Sequence, residues 1–473
     1  MNLPSNLRFL PSALLLAMLA GCMVGPDYQR PSAPTSVAFK EAAGWKAASP
    51  DDAAAKGRWW TLYGDSQLDT LMEQVSLSNQ TVAQYEAQYR QALALVRGTR
   101  AELFPTVTGT LSSTRSQTGS GSSSSSTSGS AAGQVSNSHS ATLSASWELD
   151  LWGKLRRGLE RDRASAEASA ADLANAVLSA QSELAQDYFK LRVADLQIDL
   201  YRKTVEAYTR YVQITQNKYD ARISSRADLA QAQNLLESAR ASLLASQWER
   251  AQYEHAIALL IGKTPAEFSL AATADWHYQV PQIPVGVPTG LLERRPDIAA
   301  AERQMAEANA AVGVAVAAYY PDLTLSASGG YQGSALSHLV NVPNRFWSIG
   351  PSLSGTLLDF GATRASVDQA RASYDAQVAS YRQTVLTAIG EVEDYLVQLR
   401  TQEPQLAALQ RATEAAAESA RVTYDQYEAG KIDYLDVATT QATLLSQRQS
   451  LLSLTSTQMV TSVQLIAALG GRW

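Results

Sequence analysis

Apolar residues recur along this chain with two periods, seven over long stretches and two over short ones. From Lys154 to Tyr219 a strict seven-residue spacing runs Val177, Leu184, Leu191, Ile198, Val205, Val212, Tyr219. Such a run predicts one long helix, supercoiled left-handedly against a neighbour and roughly 100 Å long at 1.5 Å per residue. A second run passes through Val385, Val392, Leu399, Leu406, Thr413, Ala420 and Tyr427, with Pro404 expected to kink its helix. Each long helix is followed by a turn, the first at Ala221 to Ser225, and a return helix. The first return helix, about Arg226 to Ile261, carries the seam Leu229, Leu236, Leu243, mirrored by Val437, Leu444 and Leu451. Further helices are expected over Ser66 to Gly98 and about Pro296 to Ala318.

At Phe104-Pro105 the period falls to two. Val107, Gly109 and Leu111 alternate with Thr106, Thr108, Thr110 and Ser112; Leu143, Ala145, Trp147 and Leu149 alternate with Thr142, Ser144, Ser146 and Glu148. Later, Leu323, Leu325, Ala327 and Tyr331 oppose Thr324, Ser326 and Ser328, and Trp347, Ile349, Leu353 and Leu357 oppose Ser348, Ser352, Ser354 and Thr356. These are two hairpins of strands about ten residues long, each with one apolar and one small-hydroxyl face. That is the pattern of outer-membrane strands with lipid on one side and water on the other. A soluble sandwich alternates in the same way. Phe104, Tyr320, Tyr331 and Trp347 lie near strand ends, where an interfacial girdle would place them. The Ser/Gly tract from Thr114 to Ser138 cannot pack a core and suits an exposed loop.

The two sets of elements are one arrangement written twice. Trp152-Gly153 matches Phe360-Gly361, Tyr219 matches Tyr427, Asp228 matches Asp436 and Gly262 matches Gly470, all at an offset of 208 (361 − 153). The chain therefore divides into a leader over 1–21, a tether over 22–65, a first repeat over 66–262 with its hairpin at 105–150, a linker over 263–292, and a second repeat over 293–473 with its hairpin at 321–358.

The ends and the charge narrow the setting. Arg8, the apolar run Phe9 to Ala20 and the small residues before Cys22 form a secretory leader. Leu19-Ala20-Gly21-Cys22 resembles the bacterial lipobox, in which the cysteine is acylated; an ordinary signal peptide followed by a chance cysteine is the alternative. Met23 in place of Asp resembles lipoproteins sent to the outer membrane. Removing the leader with Arg8 takes the formal charge from −6 to −7 (−6 − 1), which argues against nucleic-acid binding. No run of 18 or more apolar residues follows Cys22, so membrane crossing is expected only as a barrel. Four strands cannot close one, so the chain must oligomerise: a dimer would give eight strands and a plugged interior, a trimer twelve and a channel.

Several motifs resemble those of the TolC-like outer membrane factors, in the lipoprotein branch that serves resistance-nodulation-division efflux pumps. They are Cys22-Met-Val-Gly-Pro-Asp-Tyr28 with Pro31, Trp59-Trp60 with Tyr63-Gly-Asp65, Glu148-Leu-Asp-Leu-Trp-Gly153, and Leu291-Leu-Glu-Arg-Arg-Pro-Asp-Ile298 with Ala301-Glu302. The resemblance covers nearly the whole mature chain. It implies a mixed α and β fold, with a trimeric twelve-stranded transmembrane β-barrel continued by a long periplasmic α-helical coiled-coil barrel. It also implies a periplasmic adaptor, an inner-membrane resistance-nodulation-division transporter as partner, and an outer-membrane location. In that family charged and aromatic residues at the helix turns narrow the periplasmic aperture. Tyr219, Asp228, Tyr427 and Asp436 match that motif, and Arg222 and Asp433 lie in the same turns. Capping of the return helices is the alternative role for the aspartates. Two departures stand out. Arg222 occupies the position of Gly430, so that turn is expected either to differ or to let Arg222 reach an acidic neighbour. Thr439 stands where some members place a second aspartate.

No catalytic or cofactor chemistry is expected. Gly262-Lys263-Thr264 has the ending of a phosphate loop, but Ile257 replaces its first glycine and no strand precedes it. His139, His255, His277 and His338 lack ligand spacing, and the six methionines form no cluster. A type I protein-secretion duct and a non-conducting trimeric stalk or adhesin remain the rival functions.

Overall fold

The computed structural model describes residues 23–36, 38–41, 57–117, 135–283, 290 and 294–471. Cys22, most of the Ser-rich tract and Leu291 to Glu293 lie outside the described residues. The elements run α1 (Ser66–Ser78), α2 (Gln80–Ala101), β1 (Thr106–Gln117), β2 (Val135–Leu149), α3 (Lys154–Asp220), α4 (Arg226–Leu260), α5 (Pro296–Ala317), β3 (Asp322–Gly333), β4 (Arg345–Ser354), α6 (Ala362–Glu428) and α7 (Tyr434–Ala468). They group into two compact units whose boundaries fall inside helices, one centred on Arg90–Ala168 and Glu302–Ser380, the other on Ser169–Ala301 and Tyr381–Trp473.

In the first unit the four strands form one antiparallel sheet in the order β1-β2-β3-β4. The hairpins of the two repeats thus share a sheet, joined where Trp147 pairs with Leu325 and Leu149 with Leu323. The register keeps each kind of side chain together. One row across the sheet reads Val107, Ala145, Ala327, Ile349; the next reads Thr108, Ser144, Ser328, Ser348. Hydroxyls meet across strands, Ser112 with Ser140 and Ser328 with Ser348, at Oγ to Oγ distances of 2.8 Å. Val107, Leu111, Leu143, Trp347, Ile349 and Leu353 are all exposed. Leu357 falls beyond β4, which ends at Ser354.

The segment after Cys22 is fixed to this unit. Val24 N–H donates to the Trp152 carbonyl at 3.0 Å, and Met23 packs against Gly153 so closely that a Cβ there would collide with it. The Arg157 guanidinium, 1% exposed, donates to the Val24 carbonyl at 3.2 Å and pairs with Asp27 at 2.7 Å.

The expected helix from Ser66 to Gly98 is in fact two. Asn79 ends α1 in an extended conformation, then caps α2 by accepting the Val82 N–H at 3.0 Å, while its Nδ2 donates to the Leu260 carbonyl at 2.8 Å. Asparagine favours this role over a helix interior. The helix at Pro404 is uninterrupted: α6 runs 67 residues through it, the proline removing only the partner of one carbonyl. The buried seam residues Val392 and Leu399 lie before Pro404, and Ala420 after it.

Contrary to the expectation from apolar runs, α7 is long and apolar enough to cross a membrane, with a mean hydropathy of 1.2 over its best window. Half of that window is buried within the protein. Two of its polar side chains meet partners within the protein, Ser462 the Tyr63 hydroxyl at 2.8 Å and Thr455 the Tyr278 hydroxyl at 3.1 Å. Its hydropathy reflects a core position. Gly262 stops α4 at a φ of 70°, with its Cα against the Ser78 carbonyl; it is a helix terminus, not a phosphate loop.

Candidate functional site

The two helix turns lie together in the second unit. In the first, Arg222 N–H donates to the Tyr219 carbonyl at 2.9 Å and Ile223 N–H to the Lys218 carbonyl at 2.8 Å; in the second, Gly430 donates to Tyr427 and Lys431 to Gln426, both at 3.0 Å. These paired bonds define the same left-handed helix stop. Arg222 adopts it with a φ of 60°, against 69° for Gly430. The substitution leaves the turn unchanged, and Arg222 makes no ion pair among the described residues. An L-residue in this region is strained. Arg222→Gly is therefore expected to stabilise the tip by about 1 kcal/mol, read as slower hydrogen exchange over residues 219–229; faster exchange would mean that the arginine holds the turn in another way.

The starts of the return helices differ between copies. Ser225 caps α4 in a reciprocal box: its Oγ accepts the Asp228 N–H at 3.1 Å, and Asp228 Oδ2 accepts the Ser225 N–H at 2.9 Å and the Ser224 hydroxyl at 2.8 Å. Partial burial acts to raise the Asp228 carboxyl, but the bonds from the Ser225 backbone and the Ser224 and Ser225 hydroxyls outweigh it and hold the group below the usual carboxylate range. Its contribution is thus complete at neutral pH and is lost as pH falls through that depressed value. In the second copy Asp433 replaces the capping serine. It makes no side-chain cap bond; the Asp436 N–H donates instead to the Asp433 backbone carbonyl at 3.3 Å. Asp433 and Asp436 are both exposed. The structure thus separates three aspartates that look alike in sequence: Asp228 is engaged as a cap, and the other two are open.

The matched tyrosines also part company. Tyr219 is 37% exposed, Tyr427 only 6%. Tyr427 lies in a cluster with Tyr434, Val437, Ala438 and Ala232, its ring 5.6 Å from that of Tyr434, while Tyr211 and Tyr424 pack at 5.0 Å beside it. The Lys218 ammonium sits 3.6 Å above the Tyr427 ring centroid and donates to the Tyr427 carbonyl at 3.3 Å. A cation on an aromatic face and on a helix C-terminal carbonyl is favourable on both counts. The Tyr427 hydroxyl is buried without a hydrogen-bond partner. Tyr208 also has an unpartnered buried hydroxyl, and burial, followed by the neighbouring Tyr211, pushes it up to about 12.

Lys218 and Tyr434 escaped the sequence reading. The signal for both was available, because each breaks the repeat: Gln426 stands in the place of Lys218, and Arg226 in that of Tyr434.

Residues 71–263 and 287–471 each match the sequence profile of the outer membrane efflux protein family. The chain is 31% identical over 477 residues to the solvent efflux pump outer membrane protein SrpC of Pseudomonas putida, covering 98% of both proteins. It is 29% identical over 469 residues to the cation efflux system protein CusC of Escherichia coli O6:H1, covering 99% of both. The solved outer-membrane channel OprN superposes with a TM-score of 0.86 at 30% identity, over 95% of this chain and 99% of that one. With both halves matched and the likeness extending over nearly its whole length, the chain belongs to the outer membrane efflux protein family.

Proposed function

We propose that this protein is the outer-membrane exit channel of a tripartite efflux system. Three copies close a twelve-stranded barrel, their helices continue as a periplasmic coiled-coil tunnel, and an adaptor with a resistance-nodulation-division transporter delivers drugs or other small toxic compounds from the inner membrane. The carrying observation is the sheet: four strands in full register, with an unbroken apolar row and an unbroken hydroxyl row, and free edges at β1 and β4. Open edges in hydrocarbon would cost several kcal/mol per unpaired group, so the sheet has to be completed by other copies.

SrpC is the outer membrane protein of a solvent efflux pump and CusC a protein of a cation efflux system, which supports the tripartite setting; choice of cargo rests with the transporter. Acylation of Cys22 anchors the chain, a reading supported by Met23 and Val24, which hold the following segment at the end of β2 beside the sheet. The turns form the periplasmic gate, in which Asp433 and Asp436 supply open carboxylates, Asp228 a helix cap, Tyr219 and Arg222 the exposed tip, and Tyr427 a buried joint between the two turns. A deletion strain is expected to become at least several-fold more susceptible to pump substrates and to recover with the full-length gene. Purified protein should conduct in planar bilayers. A protein that forms no pores would point to a stalk, and one that conducts but restores only protein export to a secretion duct.

A further inference from the structure

We infer that Phe346 is a cargo-contacting residue in the wall of the channel, an aromatic surface near the outer mouth that holds aromatic solutes briefly as they leave. The inference rests on the barrel reading above and adds a specificity-determining residue to it. The transporter selects the cargo, and Phe346 acts on its passage.

The three strand pairings run without a bulge, so the parity of a residue number assigns it to a face across the whole sheet. Even-numbered residues form the hydroxyl face. On β1, β2 and β3 every one of them is serine, threonine, glycine, glutamine or an acid. On β4 they are Phe346, Ser348, Gly350, Ser352 and Ser354. Among the described strand residues, Phe346 is thus the one apolar side chain on the face that the barrel turns to water. The lumen of such a barrel is polar, so an aromatic ring there is an exception.

The register leaves the ring no other face. Its neighbour Trp347 stands on the apolar side and is 74% exposed, and the hydroxyls of Ser328 and Ser348 meet at 2.8 Å one step further on. A slip of one residue would turn Ser348 and Ser352 to lipid. Directly opposite Phe346 is Gly330, where a Cβ would collide with the Ala141 carbonyl. No side chain can therefore stand across from the phenyl ring, which meets no other aromatic ring among the described residues.

The level follows from the chain order. β1 and β3 start from the helices α2 and α5, and β2 and β4 run back to α3 and α6. Phe346 is the second residue of β4, so it lies at the end of the sheet away from the helices, where cargo leaves. Three copies repeat it at one height. Aromatic rings attract one another in offset and edge-on arrangements and attract cations over their faces, whereas the hydroxyls around them offer neither contact.

Single-channel recording with two blockers of equal charge, benzyltrimethylammonium and tetramethylammonium, tests this. The wild-type channel is expected to bind the benzyl probe several-fold more tightly than the methyl one. Phe346→Trp should keep that preference, and Phe346→Ser and Phe346→Leu should lose most of it. The leucine variant keeps an apolar cover over Gly330, so it carries the test if the serine variant fails to fold. As an independent check of orientation, a membrane-impermeant cationic methanethiosulfonate should lower the conductance of Phe346→Cys and leave Arg345→Cys and Trp347→Cys unchanged. A benzyl preference absent from wild type, or surviving in both Phe346→Ser and Phe346→Leu, would overturn the assignment and leave the ring as packing over a glycine. Failure of the wild-type protein to form pores would instead overturn the barrel reading on which the inference rests.

Discussion

Replacing Asp433 and Asp436 together with Ala is expected to raise single-channel conductance at moderate salt and to reduce cation preference several-fold. Both carboxylates are exposed, Asp433 makes no cap bond, and neither forms an ion pair among the described residues. Brought together around a narrow pore, like charges enrich cations, and the narrowing they impose goes with them. The effect is ionic, so variant and wild type should converge in selectivity near 1 M salt, where the screening length is about 3 Å. Asp228→Ala is the informative contrast. Its carboxylate is committed to Ser225 and Ser224, so its loss should cost about 1 kcal/mol of helix capping while leaving selectivity nearly unchanged. Conductance and selectivity that stay the same in the double variant would remove Asp433 and Asp436 from the gate.

The largest stability effect is expected at Asp195. Its side chain, 1% exposed, accepts Arg250 Nε at 2.6 Å through one oxygen, and Arg192 at 3.1 Å and the Thr273 N–H at 3.2 Å through the other. Arg192 also donates to the Ala271 carbonyl at 2.9 Å and Arg250 to the Leu270 carbonyl at 2.6 Å, so the network fastens the strand of linker that joins the two repeats to α3 and α4. Asp195→Ala would leave a buried guanidinium, Arg192, without its counter-ion. Removing one partner of such a pair costs about 3–5 kcal/mol, which thermal unfolding followed by circular dichroism would show as a large fall in midpoint. Asp195→Asn should recover part of the loss through the retained acceptor. A cost below about 1 kcal/mol for the alanine variant would mean that water replaces the carboxylate.

These four charged residues illustrate where sequence reading stops. On the coils Arg192, Asp195, Arg250 and Glu254 look like ordinary solvated pairs, three or four residues apart. Arg192 and Asp195 are buried, and Arg250 and Glu254 half-buried, because residues 269–274, distant in sequence from α3, lie over them. The helix turns show the same limit. Tyr219 and Tyr427 occupy one heptad position and one repeat position, yet one is exposed and the other covered, because Lys218 and Tyr434 have no equivalents in the opposite copy.

What the sequence determined by itself is periodic: seven for the long helices, two for the strands, and 208 (361 − 153) for the duplication. Such patterns follow from backbone geometry, since a residue's face is set by its place in the repeat, and they reach as far as a sheet too narrow to close alone. Tertiary structure decided which hairpins share a sheet, which of three similar aspartates is a cap, and which tyrosine is buried. Each of those outcomes depends on a neighbour brought from far along the chain, and no local spacing encodes it.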